Sequence, residues 1–354
     1  MAVLTTSLDF ELPPALEANA PPEERGKGRD DVRLLVSFRS SGTIEHHVFA
    51  ELPNVLRSGD LLVINRSATL NAALDGSVDG VPALLHLSRR LDDRQWIVEL
   101  RRPAADGLDS KPWLDSSPGT VIQLPDHGSS VLLAPASPAG DQGAVRLWVA
   151  EMRLPTDLPD FLARWGRPIV YGHVHTKRAL AAYQTVFASD PGSAEMPSAG
   201  RPFTTDLVTR LVVAGVEVAP VLLHCGVSSL EPNEPPQAEP FEVSSHTAER
   251  VNAVHRLGGR VIAVGTTVMR ALESAAVAHG LILPARGLTD LVIDAAYSPR
   301  VVRGLLTGWH EPHASHLAMV EAVAGPELFR SSYRKALNGL YLWHEFGDSH
   351  LILP

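Results

Sequence analysis

The chain contains 354 residues, of which 45% are hydrophobic and 20% are charged, and its formal net charge is −9. This composition is typical of a globular protein with two domains, and the acidity argues against sequence-independent nucleic-acid binding by the whole surface. The only cysteine is Cys225, which excludes an internal disulfide. No apolar run reaches the ~20 residues of a membrane span, and Met1 to Asp9 lacks a secretory pattern. We therefore expect a cytoplasmic protein without a membrane partner.

Short buried strands are predicted in the first 70 residues. The segment from Arg33 to Phe38 is strand-like, and the apolar run from Leu61 to Ile64 follows the turn residues Gly59 and Asp60. Asn65 stands where the second strand ends, and loops at strand ends often carry function.

The segment from residue 71 to residue 151 has a different residue pattern from the rest of the chain. Short β-rich runs alternate there with Gly, Pro, Asp and Ser turns, and helical periodicity is missing. This pattern predicts a small antiparallel barrel or sandwich. Because an α/β pattern precedes and follows the segment, we predict that residues 71–151 are an inserted domain. Residues 1–70 and 152–354 then form one larger mixed α/β domain.

Helices and strands alternate in the rest of the chain. Turn residues separate segments with helical periodicity from short apolar runs. This alternation predicts an α/β sheet with right-handed crossovers. The predicted helices and strands are Asp206–Ala214, Val216–Leu223, Ala248–Leu257, Leu291–Asp294, Val301–Leu306, Ala314–Ala324 and Glu327–Leu337.

Three chemically useful segments follow predicted strands of this sheet. Ligands of open α/β sheets bind in the crevice outside the carboxyl ends of the strands. We therefore expect His224, Gly265 and the segment from Thr307 to His310 to lie at the rim of one crevice. His224 keeps two interpretations, an edge histidine with satisfied hydrogen bonds and a residue that acts in the crevice.

The stretch from Arg260 to Gly280 reads R-V-I-A-V-G-T-T-V-M-R-A-L-E-S-A-A-V-A-H-G. Its apolar start predicts a buried strand that ends at Gly265. Thr266 or Thr267 is then predicted to cap a helix, and Gly280 is predicted to end it. Such a unit points free backbone N–H groups and the positive end of the helix dipole at one spot, where an anion fits.

Arg270 stands one turn into this predicted helix. Its guanidinium would add a formal cation to the anion site. The alternative interpretation is an ordinary turn of an α/β protein, in which Arg270 pairs with Glu273 on the surface.

Two further patterns suggest chemistry but have simpler explanations. His310, His313 and His316 are spaced by three residues, yet Pro312 prevents the first two from sharing a regular helix, and we predict no metal site. Cys225 follows a strand, but the sequence places no base beside its sulfur. A free cysteine of this kind is usually buried and inert.

Several motifs, taken together and in chain order, carry a family resemblance. The two most specific are Tyr183-Gln184-Thr185-Val186-Phe187 and Val264-Gly265-Thr266-Thr267. The other matching pieces are Asp9–Pro13, Arg33–Val36, Gly59–Val63 with Asn65, Gly192-Ser193, Pro197 with Ala199-Gly200 and Phe203, Leu223-His224 with Gly226, Arg270 with Leu272–Ser274, His310 with Pro312, and Gly347-Asp348. The inserted β segment matches only loosely. Together these pieces resemble the S-adenosylmethionine:tRNA ribosyltransferase-isomerases of queuosine biosynthesis.

The resemblance implies an α/β domain that carries an inserted antiparallel β-barrel domain. It also implies that the ribosyl part of S-adenosylmethionine is transferred to an aminomethyl-deazaguanine base in tRNA and isomerised, with release of adenine and methionine. S-adenosylmethionine is then a substrate, tRNA is the expected partner, and no cofactor or metal is needed. The sulfonium acidifies the 5′ carbon, so a general base starts the reaction, and adenine departure needs hydrogen-bond donors or an acid.

The same resemblance suggests the site residues. His224 and His310 are the predicted catalytic residues, because histidine exchanges protons near neutral pH. Arg270 and the amides near Gly265 are predicted to hold a carboxylate or ribose oxygens. The full set of predicted substrate-binding residues is Tyr183, Gln184, Thr185, Gly200, Gly226, Gly265, Thr266, Thr267, Arg270 and Asp348.

The sequence also departs from the family pattern. A Thr-Ala-Gly-Leu-His-Phe motif reads Ser198–Phe203 here and loses its histidine, and a His-Ser-Glu motif reads Gln237–Glu239. Near the C-terminus Tyr-Arg-Phe reads Tyr341–Trp343, and histidines stand at His344 and His350. Two alternatives therefore stay open, the same donor chemistry on a small-molecule acceptor and a non-catalytic nucleoside- or RNA-binding relative.

Overall fold

The computed structural model describes residues 8–104, 109–136, 144–174, 176–228 and 237–354. Its larger sheet has nine strands. Short apolar runs form the central strands, whose residues are almost all buried. The nine strands are β1 (Arg33–Phe38), β2 (Ile44–Val48), β3 (Leu61–Asn65), β14 (Glu217–Leu223), β15 (Glu239–Val243), β16 (Val261–Val264), β17 (Ala285–Thr289), β18 (Gly304–Gly308) and β19 (Ser349–Leu353).

The strand order across this sheet is β17-β15-β14-β3-β16-β18-β19-β1-β2. The four central strands β14, β3, β16 and β18 run parallel to one another. Their carboxyl ends, at Leu223, Asn65, Val264 and Gly308, therefore meet at one edge of the sheet. This is the edge at which an open α/β sheet binds its ligands.

Most of the helices pack on the larger sheet, and several begin at local start signals. Three of them begin at a side chain that caps the first turn, because Asp157, Thr204 and Ser244 each accept a backbone N–H three residues on. The helices in the part of the chain that the structure describes are α1 (Leu52–Val55), α2 (Leu158–Trp165), α3 (Thr205–Val213), α4 (Ser245–Arg256), α5 (Thr266–Ser274), α6 (His316–Ala324) and α7 (Pro326–Asn338). None of these helices is long and apolar enough to cross a membrane.

Alternate residues of the central strands bury opposite faces of the sheet. Val261 and Ala263 of β16 belong to a core that also contains side chains of α4, α5, α6 and α7. Ile262 and Val264 belong to a second core, together with Leu207 of α3. Side chains of β16 alternate between the two faces of the sheet, and helices pack on both faces. This explains why every residue of β16 is apolar.

The second sheet closes on itself. Its strands follow the order β11-β10-β9-β5-β6-β7, and β11 also pairs with β7, so six antiparallel strands form a barrel. The predicted β-barrel is confirmed. A separate parallel pair is formed by β4 (Ser67–Thr69) and β13 (Asp190–Ser193). The strands of the barrel sheet are β5 (Ala73–Val78), β6 (Val81–Arg90), β7 (Gln95–Pro103), β8 (Ser110–Pro112), β9 (Val121–Gln123), β10 (Ser129–Pro135), β11 (Leu147–Arg153) and β12 (Gly166–Arg167).

The domain limits, residues 1–70 with 152–354 and residues 71–151, stay a prediction. Contacts with the barrel continue beyond residue 151. Phe161 and Leu162 of α2 pack in the barrel core, and β12 pairs with β5. The helix after the barrel is therefore packed on it rather than on the larger sheet.

The predicted cap of α5 is wrong. Gly265 is itself the N-cap residue, with φ of 100° and no side-chain cap hydrogen bond. Thr266 and Thr267 are the first two residues of the helix, so their hydroxyls do not cap it. A φ of 100° lies in the region that favours glycine, which explains the residue before the helix.

The predicted end of α5 at Gly280 is wrong as well. The helix ends at Ser274. The chain then turns back on itself, because Ala276 forms an isolated antiparallel bridge with Ile282. Because this bridge requires an extended backbone at Ala276, the helix cannot continue to Gly280.

Two predicted strands after α5 are also corrected. The segment Leu291–Asp294 has no regular structure, and β17 lies before it. The next strand begins at Gly304 instead of Val301. The N–H groups of Val301 and Val302 donate to the side chain of Glu273 at 2.9 and 3.0 Å, so they are not available to a strand partner.

Candidate active site

A cavity of about 340 Å³ opens at the edge where the parallel strands end. Residues that follow β14, β16 and β18 contribute to its wall, as expected for an open α/β sheet. The segment between β12 and β13 also contributes to the wall. The predicted site residues in this wall are Tyr183, Gly226, Gly265, Thr266, Thr267, Arg270 and His310.

The start of α5 forms one part of the wall. A Cβ on Gly265 would lie 3.4 Å from the Cβ of Ala199, which is an ordinary contact, so the positive φ and not the space requires glycine. The first N–H groups of α5 have no acceptor inside the helix. Those of Thr266 and Thr267 lie in the cavity wall and can bind an anion.

Arg270 is buried in the wall, with only 4% of its surface exposed. Its Nη1 atom donates to the carboxylate of Glu239. The Nη2 and Nε atoms donate to three backbone carbonyl oxygens, each at 3.1 Å. The alternative pairing of Arg270 with Glu273 is wrong, because Glu273 accepts backbone N–H groups elsewhere. Arg270 thus ties α5 to residues of β15 and β17 and of their neighbouring segments, and these bonds use four of its five N–H groups.

Glu239, the partner of Arg270, also supports a predicted substrate-binding residue. Its Oε1 accepts the backbone N–H of Gly226 at 2.8 Å. Burial raises the pKa of Glu239, although Arg270 and the Gly226 N–H act in the opposite direction. The ion pair and the glycine loop therefore form one unit of the wall.

Glu195 is a second carboxyl group in the wall. The hydroxyls of Tyr171 and Ser228 donate to it, and the Ser228 N–H donates to it at 2.7 Å. Burial raises the pKa of Glu195. Burial and the neighbouring Glu195 raise the pKa of Tyr171, so this hydroxyl stays protonated.

The charged side chains of the cavity are mostly acidic. Carboxyl groups outnumber guanidinium groups by four to one among the lining residues that the structure describes. The lowered pKa values of His310, His316 and His344 mean that these three rings add little positive charge. This balance favours a ligand that carries a positive charge. The charged lining residues are Glu195, Glu239, Glu311, Glu345 and Arg270.

His310 and His316 stack on each other, with ring centroids 4.7 Å apart and planes inclined by 6°. Nε2 of His310 shares a hydrogen bond of 2.9 Å with the hydroxyl of Thr307. Burial and neighbouring imidazoles lower the pKa of His310 well below its ordinary value, and burial lowers the pKa of His316 to about 4. Both rings are therefore neutral at pH 7. His313 is exposed and lies outside this wall.

Four further lining residues, which we call the rim cluster, are His173, Glu311, His344 and Glu345. The side chain of Glu311 is largely exposed, whereas the other three are mostly buried. His173 stacks on His344 with ring centroids 3.9 Å apart. Nε2 of His173 lies 2.9 Å from Oε2 of Glu345, and Nδ1 of His344 lies 3.3 Å from Oε1 of Glu311. No group of three side chains with metal-binding geometry is present among the described residues.

A second recess, which we call the arginine cleft, has a volume of about 1,210 Å³ and lies between the barrel and the larger sheet. Arg89 and Arg94 line it and form no ion pair with any described residue, and Nε of Arg89 is buried without a hydrogen-bond partner. Arg90 and Arg153 also line it and pair with acidic neighbours. Thr69 lines both recesses, so the cleft adjoins the cavity.

His224 lies in the arginine cleft and not in the cavity. Its Nδ1 lies 2.7 Å from the hydroxyl of Ser67, and burial lowers its pKa. The structure therefore does not bring the predicted catalytic residues His224 and His310 together in one recess. Gln184 also lines the cleft, and its side chain bonds both backbone groups of Thr69 at 3.0 and 2.8 Å.

Three predicted substrate-binding residues line neither recess. Thr185 and Gly200 lie against each other, since a Cβ on Gly200 would be 3.3 Å from Cγ2 of Thr185. Asp348 forms an ion pair with Arg33 at 2.7 Å and accepts the backbone N–H groups of Arg33 and Leu342 at 2.8 Å each. Asp348 therefore fastens β1 to the loop before β19.

The sequence-based predictions omit several polar residues of the wall. Glu311 could have been found from its position between His310 and Pro312, two residues of a matching motif. Glu195 likewise stands between Gly192-Ser193 and Pro197. Tyr171 and His173 lie in an irregular segment, where no periodicity marks the residues that face a cavity.

The molecule is thus a two-domain α/β protein with an inserted β-barrel and a polar ligand cavity at the carboxyl ends of its parallel strands. A family model described as "Queuosine biosynthesis protein" matches residues 5–352. The chain belongs to this family.

Known relatives match the chain over nearly its full length. A protein of Symbiobacterium thermophilum named "S-adenosylmethionine:tRNA ribosyltransferase-isomerase" is 35% identical and aligns over 98% of this chain and 99% of its own. A protein of Thermosynechococcus vestitus with the same name is 34% identical over 98% and 95% of the two chains. The crystal structure of S-adenosylmethionine tRNA ribosyltransferase from Thermotoga maritima is 28% identical, covers 98% of this chain and 100% of its own, and superposes with a TM-score of 0.54.

Proposed function

We propose that this protein is an S-adenosylmethionine:tRNA ribosyltransferase-isomerase. It transfers the ribosyl part of S-adenosylmethionine to a deazaguanine base of tRNA, isomerises it and releases adenine and methionine. The observation that carries the proposal is the acidic cavity at the ends of the parallel strands. The printed names of the full-length relatives support the same activity.

The charge of the cavity suits the donor substrate. S-adenosylmethionine carries a sulfonium cation between its ribose and its methionine chain. A unit charge about 4 Å from a carboxylate gains about 4 kcal/mol at an effective dielectric constant of about 20. The carboxyl groups of Glu195, Glu239, Glu311 and Glu345 are the ones available for this interaction.

The start of α5 suits the methionine carboxylate. Thr266 and Thr267 lie in the cavity wall at the helix start, where backbone N–H groups lack acceptors inside the helix, and the dipole adds about 0.3–1 kcal/mol for an anion. Arg270 contributes one free N–H, while Glu239 and three carbonyl oxygens hold the rest of its guanidinium. Arg270 therefore acts mainly by shaping the wall.

His310 is placed to assist the departure of adenine. When the Thr307 hydroxyl donates to Nε2, the ring proton of the neutral His310 lies on Nδ1 and is available to a purine nitrogen. Hydrogen-bond donation of this kind stabilises negative charge that develops on a leaving group. The sulfonium itself activates the 5′ carbon, so the proposed reaction uses S-adenosylmethionine as a substrate and asks for no metal or further cofactor.

The arginine cleft is the proposed approach route of tRNA. Arg89 and Arg94 are cations without ion-pair partners among the described residues, and phosphate contacts of arginine supply most of the affinity for nucleic acids. The cleft adjoins the cavity at Thr69. A nucleotide that leaves the RNA held in the cleft can thus enter the cavity. Since tRNA is the acceptor, we propose that the protein works in the cytoplasm.

The test is to incubate the purified protein with S-adenosylmethionine labelled in the adenine and the ribose. We expect adenine and methionine release, with label in the RNA, when the tRNA carries the aminomethyl-deazaguanine base. The control is the same tRNA with an unmodified guanine. Release of adenine with a small amine but not with the modified tRNA, or binding without turnover, would reject the proposal.

A further inference from the structure

Three members of the rim cluster, His173, His344 and Glu345, lie outside the motifs that predicted the site, and Glu311 stands between two residues of one motif, His310 and Pro312. The side chain of His173 is 9% exposed, whereas that of Glu311 is 60% exposed. The cluster therefore leads from the opening of the cavity into its enclosed part. A substrate that enters from solvent meets the carboxylates of Glu311 and Glu345 on its way to the donor.

Glu345 determines which nitrogen of His173 is available. A carboxylate only accepts hydrogen bonds, so Nε2 of His173 carries the proton that lies between the two side chains. In the neutral ring, the lone pair is then on Nδ1, which has no hydrogen-bond partner among the described residues. Stacking on His344 fixes the plane of the ring. A carboxylate-oriented imidazole is the usual arrangement of a base that activates a nucleophile.

The charges around His173 suit proton transfer near neutral pH. Burial lowers the pKa of His173, but Glu345, Glu311 and Glu17 raise it by more, so the net pKa lies above the ordinary value. Burial and the charge of His173 lower the pKa of His344 to about 4, so the stacked partner stays neutral. His173 thus differs from the other histidines of the wall, whose pKa values are lowered.

We propose that the rim cluster is the subsite for the primary amine of the acceptor, and that His173 deprotonates this amine while Glu345 positions the imidazole. This inference rests on the function proposed above. An ammonium group has no lone pair and cannot attack the ribosyl carbon. One of its N–H bonds breaks, the electron pair stays on nitrogen, and the proton goes to Nδ1 of His173. Glu311 and Glu345 attract the ammonium before the transfer.

The pH dependence of the transfer separates this role from a structural one. In the wild type, the rate rises with pH as His173 loses its proton. The variant His173→Gln should be about 10²-fold slower at pH 7. Its rate should recover toward the wild-type rate as the pH approaches the pKa of a free primary amine, about 10, because the amine then loses its proton without a base.

A second variant tests the positioning residue. Glu345→Gln removes the carboxylate that raises the pKa of His173, so the rising part of the profile should move to lower pH, with a lower maximum rate. Added imidazole should partly restore the activity of His173→Ala. A merely structural role of His173 predicts neither the shift nor the rescue.

The matched control is His313→Asn. His313 is exposed, lies outside the cavity wall and has φ of 66°, a conformation that asparagine also adopts. Its profile should equal that of the wild type. A His173→Gln rate within threefold of the wild type at pH 7, or a loss of equal size at every pH, would overturn the inference. Failure of the wild type to release adenine with modified tRNA would instead reject the proposed function.

Discussion

The two recesses of this protein contrast in size, charge and construction. The cavity at the strand ends measures about 340 Å³, and its carboxyl groups and its arginine are held by hydrogen bonds within the protein. The arginine cleft measures about 1,210 Å³ and presents cations that pair with no described residue. The first is suited to a small cation in a fixed position. The second is suited to a large anion.

The largest expected difference between the two recesses is in stability. Arg270→Ala should lower the free energy of unfolding by about 3–5 kcal/mol, because it leaves Glu239 buried without its partner. Arg94→Ala in the cleft should change it by less than about 0.5 kcal/mol, since the side chain is exposed. Urea denaturation followed by circular dichroism measures both. Equal effects of the two substitutions would show that Arg270 in the cavity is not held more firmly by the protein than Arg94 in the cleft.

The next difference concerns catalysis. His310→Ala should lower kcat for adenine release by about 10²-fold, because the cavity then lacks a hydrogen-bond donor for the leaving group. His224 lies in the arginine cleft, so His224→Ala should mainly raise KM for tRNA. Steady-state kinetics with modified tRNA separates the two parameters. A larger loss of kcat in His224→Ala than in His310→Ala would show that the reaction takes place in the arginine cleft and not in the cavity.

A smaller effect is expected on recognition of the sulfonium. Glu195→Gln should weaken binding of S-adenosylmethionine about tenfold, or about 1.4 kcal/mol, and should leave binding of the neutral thioether S-adenosylhomocysteine nearly unchanged. Glu249→Gln, an exposed residue of α4, is the control. Burial raises the pKa of Glu195, so the wild-type preference for the sulfonium should fall as the pH drops through that raised value. Calorimetry at several pH values measures this preference, and equal weakening of both ligands by Glu195→Gln would contradict it.

The smallest effect is expected on salt dependence. Arg94→Ala should weaken tRNA binding a few-fold and reduce the slope of log K against log salt by about 1, because one phosphate contact is lost. Arg286→Ala, an exposed arginine of β17 outside the cleft, should leave the slope unchanged. Fluorescence anisotropy at several salt concentrations gives the slopes. A change in slope for Arg286→Ala but not for Arg94→Ala would show that the RNA binds to a surface other than the arginine cleft.

Much of the fold was readable from local patterns. The buried strands around Leu61 and Val261, the helices near Asp206 and Ala248 and the antiparallel barrel were predicted because period, turn residues and apolar runs are local properties. The strand predicted at Leu291–Asp294 failed for the same reason. An apolar run does not reveal whether a neighbouring strand is there to pair with it.

The site was only partly predictable, because its decisive contacts join distant segments. Arg270 was predicted to add a cation to an anion site, but its partner Glu239 lies 31 residues away in sequence. His173 and Glu345 are separated by 172 residues. His224 and His310 follow strands of the same sheet and were expected in one crevice, yet they face different recesses. The direction of each side chain depends on the packing of the barrel against the larger domain.

The most direct test of the central claim is a crystal structure of the protein with S-adenosylmethionine. We expect the nucleoside in the cavity at the strand ends, with its sulfonium among the carboxylates of Glu195, Glu239, Glu311 and Glu345 and its carboxylate at the start of α5. Electron density for the nucleoside in the arginine cleft, with the wall formed by Gly265 to Thr267 left unliganded, would contradict it.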